Sequence, residues 1–186
     1  MMKSACFLAS FSLVLAAQTA VAKPVVVDRA VSEQQTLAAQ QAWCKALVDI
    51  STTHQRDGQP AAKALAEKVI DAAYGYQLGV VLFKPTLTVN PQTFRTTRAG
   101  ALAYFVGGDP AFPNDSGFAL NGWTKCEVEN AAIFIDGDSA TTMGKVRLTG
   151  KDGKITTVDK TWQFHMDDAG TLRIVLHHSS LEYTGQ

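Results

Sequence analysis

The sequence carries no surplus of either charge. Seventeen Lys and Arg balance 17 Asp and Glu. A nucleic-acid partner is thereby excluded, since such binders carry a basic excess, and so is a basic cluster that would hold an anionic lipid surface. Cysteine is scarce: three residues, none at C-x-x-C spacing, which excludes a zinc ribbon and a dithiol redox motif. The G-x-S-x-G elbow of many hydrolases is absent. So is the G-x-G-x-x-G turn that cradles phosphates. Charged residues make up only 18% against 46% hydrophobic, a balance that excludes disorder and supplies a core. The length of 186 residues suits one domain.

What is present begins with a leader. In residues 1–22, Lys3 precedes a largely apolar stretch from Phe7 to Ala17, followed by Ala20-Val21-Ala22. This pattern predicts a secretory signal peptide cleaved after Ala22. The run is shorter than a bilayer span, and no other stretch could cross a membrane. The expected product is residues 23–186, periplasmic or secreted, with no membrane attachment after cleavage. It keeps Cys44 and Cys126. In an oxidising compartment they could pair; the alternative is two separate buried thiols.

The remaining chain reads as helices followed by strands. Ser32 and Gln35 form a capping box ahead of a helix running to Ile50, with Leu37, Ala38, Ala42, Trp43, Leu47 and Val48 at helical spacing. The polar stretch 54–60 reads as a loop, and a second helix is expected over Ala61–Ala73. Residues 79–89 are β-rich, and a short helix is expected at Thr97–Val106. Strands follow at about 123–135, 139–149, 154–167 and 171–183, with Asp136-Gly137, Asp152-Gly153 and Ala169-Gly170 at the turns. This order is α+β: a curved antiparallel sheet wrapped around a long N-terminal helix, a cone whose interior would hold the site.

Few residues offer chemistry. In the last strand, alternation puts Val175, His177, Ser179 and Leu181 on one face and Leu176, His178 and Ser180 on the other. His177 and Ser179 thus share a face, though the strand alone favours one satisfied core histidine beside a surface one. A zinc site needs three converging ligands. The four histidines do not obviously supply them: His177 and His178 point apart, His54 lies in the polar loop, and His165 alternates with Trp162, Phe164 and Met166. Thr86 follows Pro85 at a strand end. Lys84 reads as a solvated strand residue, and Tyr104 offers a phenol beside an apolar wall that a structural role also explains. Asp71, near the end of the second helix, suits capping or solvation better than its alternative role, the carboxylate base of an isomerase or cyclase.

Tyr74-Gly75-Tyr76, VLFKPT (81–86), FRTTRAGALAYFVGG (94–108), GFAL (117–120) and LHHSSLEY (176–183), in that order, resemble the iota-class carbonic anhydrases. That class is built on the association domain of calmodulin-dependent kinase, within the NTF2-like superfamily. The resemblance spans Trp43 to Tyr183 and departs at Glu182, where many relatives have proline. It implies an NTF2-like cone over 23–186, a homodimer through the outer sheet face, and reversible hydration of CO2 to bicarbonate. It further implies a site of Thr86, Tyr104, His177 and Ser179. Zinc enzymes of this activity bring bound water to a pKa near 7 through the metal. Here the missing ligand set favours a site without metal, with zinc the alternative. A non-catalytic binding or oligomerisation module of the same superfamily is the competing reading of the whole chain.

Overall fold

The computed structural model describes residues 23–185; the expected signal peptide lies outside them. The capping box forms as read: the Gln35 amide N–H donates to Ser32 Oγ, and the Gln35 side chain accepts from the Ser32 N–H. It opens α1 (Glu33–Asp57). This helix runs about two turns beyond the expected stop at Ile50, so His54 is helical. Gly58, at φ +82°, alone turns the chain into α2 (Gln59–Ala73). A polar sequence satisfies an exposed final helical turn, and His54 and Arg56 suit a helix C-terminus. Pro60 sits in the first turn of α2, where it costs no hydrogen bond.

The buried stripe of α1 also differs from its apolar pattern. Thr36, Gln40, Trp43, Cys44, Leu47, Ile50 and Ser51 face inward, while Ala38 and Ala42 are exposed. Gln40 is tolerated because its amide exchanges hydrogen bonds with Asn130 and donates to Thr142.

A short strand β1 (Leu82–Lys84) and a helix α3 (Arg98–Val106), capped by Thr97, follow. One 3-10 turn, Phe118–Leu120, leads into the meander β2 (Trp123–Asp136), β3 (Ser139–Gly150), β4 (Ile155–Met166) and β5 (Leu172–Leu181). The sheet order is β1-β5-β4-β3-β2. The sheet is curved and unclosed, and its meander is antiparallel as expected. β1 is the exception: it runs parallel to β5 along the edge, pairing Phe83 with His177.

α1 packs on β2 and α2, and α3 packs on α2. Between helices and sheet lies the main core, including Trp43, Ile70, Tyr74, Phe83, Phe105, Trp162, Phe164 and Ile174. Cys44 on α1 and Cys126 on β2 form a disulfide, which resolves the open alternative. Among the described residues no helix is long and apolar enough to cross a membrane.

Candidate active site

The inner face of β5 is set by a bulge. Gln163 pairs with Leu176 but Phe164 pairs with Ile174, so Val175 is an extra residue in the ladder. The buried positions are therefore Ile174, His177 and Ser179, not Val175. Strict alternation misplaces Val175 and Leu181, which is exposed, yet keeps His177 and Ser179 together.

On β1, Phe83 faces inward and its ring stacks on the His177 imidazole at 4.4 Å. Lys84, expected to be solvated, is half-buried, and its Nζ donates to the Ser179 carbonyl at 3.0 Å. β1 ends there. Pro85 breaks the alternation, and the turn that follows carries Thr86 to Ser179, with the two hydroxyl oxygens 2.5 Å apart. Tyr104 arrives from α3. It is buried against Phe83 and Phe118. Burial pushes its phenol pKa upward, which the neighbouring Leu87 backbone and Thr86 partly offset. The Tyr104 hydroxyl nevertheless forms no well-aligned hydrogen bond among the described residues. Three hydroxyls from three separate segments thus meet beside β5.

His177 lies one step deeper and both of its ring nitrogens are engaged. Nδ1 is 2.8 Å from the Tyr74 hydroxyl, and Nε2 is 2.7 Å from Lys160 Nζ. The Trp43 indole N–H donates to Tyr74 at 3.0 Å and closes the chain of contacts. Burial, then the neighbouring Lys160 and His178, hold the His177 pKa well below its ordinary value, so the ring is neutral. Lys160 is buried under the same core; burial and then Lys84 bring its pKa down to about 7.

Sequence reasoning assigned no role to Lys160 or Tyr74. The signal for Lys160 was its parity with Val158, Trp162 and Phe164, the buried face of β4. Tyr74 stood in a quoted motif, but only the fold brings the end of α2 to β5, where Tyr74 bridges to Ile174.

The zinc alternative fails on geometry. His177 has no free nitrogen, His178 is exposed, His165 lies on the opposite face from Trp162, and His54 is on α1. Among the described residues no three of His, Cys, Asp and Glu cluster as metal ligands. Asp71, the candidate base of an isomerase, is exposed and receives Arg98 Nε at 2.5 Å. It serves the surface.

Comparison with known proteins follows the same line. A family model described as metal-independent carbonic anhydrase matches residues 34–181. The chain belongs to the metal-independent carbonic anhydrases, the iota class. A metal-independent carbonic anhydrase of Nostoc sp. is 67% identical over 161 residues, 87% of this chain and 78% of that protein. A crystal structure of a cyanobacterial iota-carbonic anhydrase complexed with bicarbonate superposes with a TM-score of 0.86 at 66% identity. It covers 88% of this chain and 100% of that one. A calcium/calmodulin-dependent kinase II association domain from Xanthomonas campestris matches at a TM-score of 0.51 and 24% identity, covering 86% and 97% of the two chains. That likeness shows the fold alone, the cone of the association domains. Membership of the carbonic anhydrase family sets aside zinc as a cofactor and displaces the reading as a non-catalytic module.

Proposed function

We propose that this carbonic anhydrase hydrates CO2 at the Thr86–Ser179–Tyr104 cluster. The observation that carries the reading is the 2.5 Å contact between the Thr86 and Ser179 hydroxyls beside a Tyr104 hydroxyl with no aligned partner. One proton of the Thr86–Ser179 pair is spent in their mutual bond, and the other is free to donate outward. Together with the Tyr104 proton this makes two donors. They meet the negative charge that develops on the CO2 oxygens as water adds to carbon, the arrangement that stabilises such transition states. The relative that is 66% identical was solved with bicarbonate, and bicarbonate is the product expected here. No metal is required. His177, neutral and held at both nitrogens, braces the inner wall: its ring fixes Phe83 by stacking, and its strand presents Ser179.

Export belongs to the same proposal. The leader pattern of residues 1–22 and the Cys44–Cys126 bridge both suit an oxidising compartment, periplasmic or extracellular. A homodimer through the outer sheet face is supported by Phe134 and Met143, 70% and 61% exposed on β2 and β3. Sedimentation of residues 23–186 checks it.

Stopped-flow hydration of CO2 by residues 23–186, without added metal, tests the activity. Ser179→Ala and Tyr104→Phe should each lower kcat about 100-fold, the usual effect of removing one such donor. Full activity in both variants would overturn the site.

A further inference from the structure

We propose that Lys160 is the base of this site: its side-chain amine takes the proton that water releases as it adds to CO2. The inference rests on the function proposed above and supplies what the hydroxyl cluster lacks, since hydration must deliver one proton to some group. Thr86, Ser179 and Tyr104 are weak bases, and His177 has no free nitrogen to offer.

Lys160 is placed for the task. On β4 it stands directly opposite Ser179 of β5, and both residues are buried on the inner face. Its Nζ also reaches diagonally to His177 Nε2 at 2.7 Å. Its strand position thus adjoins Ser179, which holds Thr86, while its Nζ adjoins the Tyr74–His177 pair.

The surroundings leave the amine without a permanent counter-ion. α1 contributes the Trp43 ring, the end of α2 contributes Tyr74 through His177, and β3 sets Gly144 opposite Lys160. β1 contributes the positive Lys84, and β5 contributes Ser179, His177 and His178. No ion pair to Lys160 occurs among the described residues. Burial without an acid favours the uncharged amine. The charged form is still tolerated, because Nζ lies 4.8 Å from the Trp43 ring and 5.3 Å from Trp162. A group whose two forms are both accessible near neutrality suits proton uptake, and the lowered pKa of about 7 agrees.

The hydrogen bond to His177 serves both forms. With the His177 proton on Nδ1, facing Tyr74, Nε2 accepts an N–H from Lys160 whether that group is amine or ammonium. The Nζ lone pair then stays free, and uptake requires no rearrangement of the ring. The balance is complete: the water oxygen bonds to carbon, one carbon–oxygen π pair moves onto a CO2 oxygen, and the water proton moves onto Nζ. The ammonium returns that proton to buffer between turnovers, helped by repulsion from Lys84.

The test is the pH dependence of kcat for residues 23–186, measured beside Lys160→Gln and Lys160→Arg. The unsubstituted protein should gain activity with rising pH through a midpoint near 7. Lys160→Gln should lose about 100-fold in kcat together with that step, and imidazole buffer should restore part of the rate. Lys160→Arg keeps a cation without a usable lone pair and should be equally slow; recovery by arginine would make Lys160 a fixed charge and overturn the inference. So would a folded Lys160→Gln protein with unchanged rate and pH profile. Nitrogen-15 NMR of the unsubstituted protein gives a second reading that needs no variant. The Lys160 Nζ resonance should titrate near pH 7, and an amine still charged at pH 9 would overturn the assignment. No hydration by the unsubstituted protein would instead overturn the function itself.

Discussion

His177 shows how burial, more than residue type, sets chemistry at the scale of one side chain. An imidazole that would titrate near neutrality in water is held neutral by the core around it. Arg95 and Asp115 show the opposite solution to burial. Both side chains are only 2% exposed, and they meet in a two-pronged pair, Nε to Oδ2 at 2.9 Å and a terminal nitrogen to Oδ1 at 2.7 Å. Arg95 also donates to the carbonyls of Gln92 and Phe94. The pair ties the loop before the 3-10 turn to the segment that follows Thr86. Replacing Asp115 with Ala leaves a buried guanidinium uncompensated. It should destabilise the fold by about 3–5 kcal/mol, read as a lower urea midpoint. At this scale motif order and strand parity pointed to Thr86, Tyr104, His177 and Ser179 as candidates, and the fold gathers Thr86 and Ser179 in one contact and buries the other two nearby. It was less legible for Lys160: the same parity rule that placed Trp162 inside places Lys160 inside, but a lysine in a strand reads first as solvated.

At the scale of elements, helix starts and hairpin turns were clearer than the end of α1 or the bulge in β5. The Ser32 box and the turn glycines follow local rules that need no tertiary partner. The Val175 bulge and the run of α1 to Asp57 do not. A bulge has no local signature, and the polar end of α1 satisfies helix and loop equally. The β4–β5 turn is held by Asp167. One carboxylate oxygen accepts the Ala169 and Thr171 N–H groups, and the other accepts Arg173 Nε at 2.8 Å. Arg173, then the Thr171 N–H, holds the Asp167 pKa below its ordinary value. The unfolded chain binds this proton more readily, so the contribution to stability is full above about pH 4, the ordinary aspartate range, and is lost as pH falls through the lower folded-state value. Asp167→Asn should therefore melt below the unsubstituted protein at pH 6, and the gap should shrink toward pH 3.

At the scale of the whole molecule, the disulfide joins the first helix to the far edge of the meander across 82 residues of sequence. A loop of that length restricts the unfolded chain, which corresponds to about 4.5 kcal/mol by chain entropy. The Cys44→Ser, Cys126→Ser double variant should show a lower midpoint in urea, with a CO2 hydration rate unchanged where it remains folded. Neither cysteine contacts the hydroxyl cluster, so stability and activity should separate.

From the sequence alone came the α+β order, the strands and turns of the meander, and the pairing of His177 with Ser179. Local spacing and capping are properties of neighbouring residues, and family motifs survive in linear order. Tertiary structure alone decided that Cys44 meets Cys126, that β1 lies parallel beside β5, and that Tyr74, His177 and Lys160 form one buried chain of contacts. Those contacts join segments 31 to 103 residues apart, or depend on register between strands. Their energies arise only when the core excludes water around them, and no local pattern encodes that exclusion.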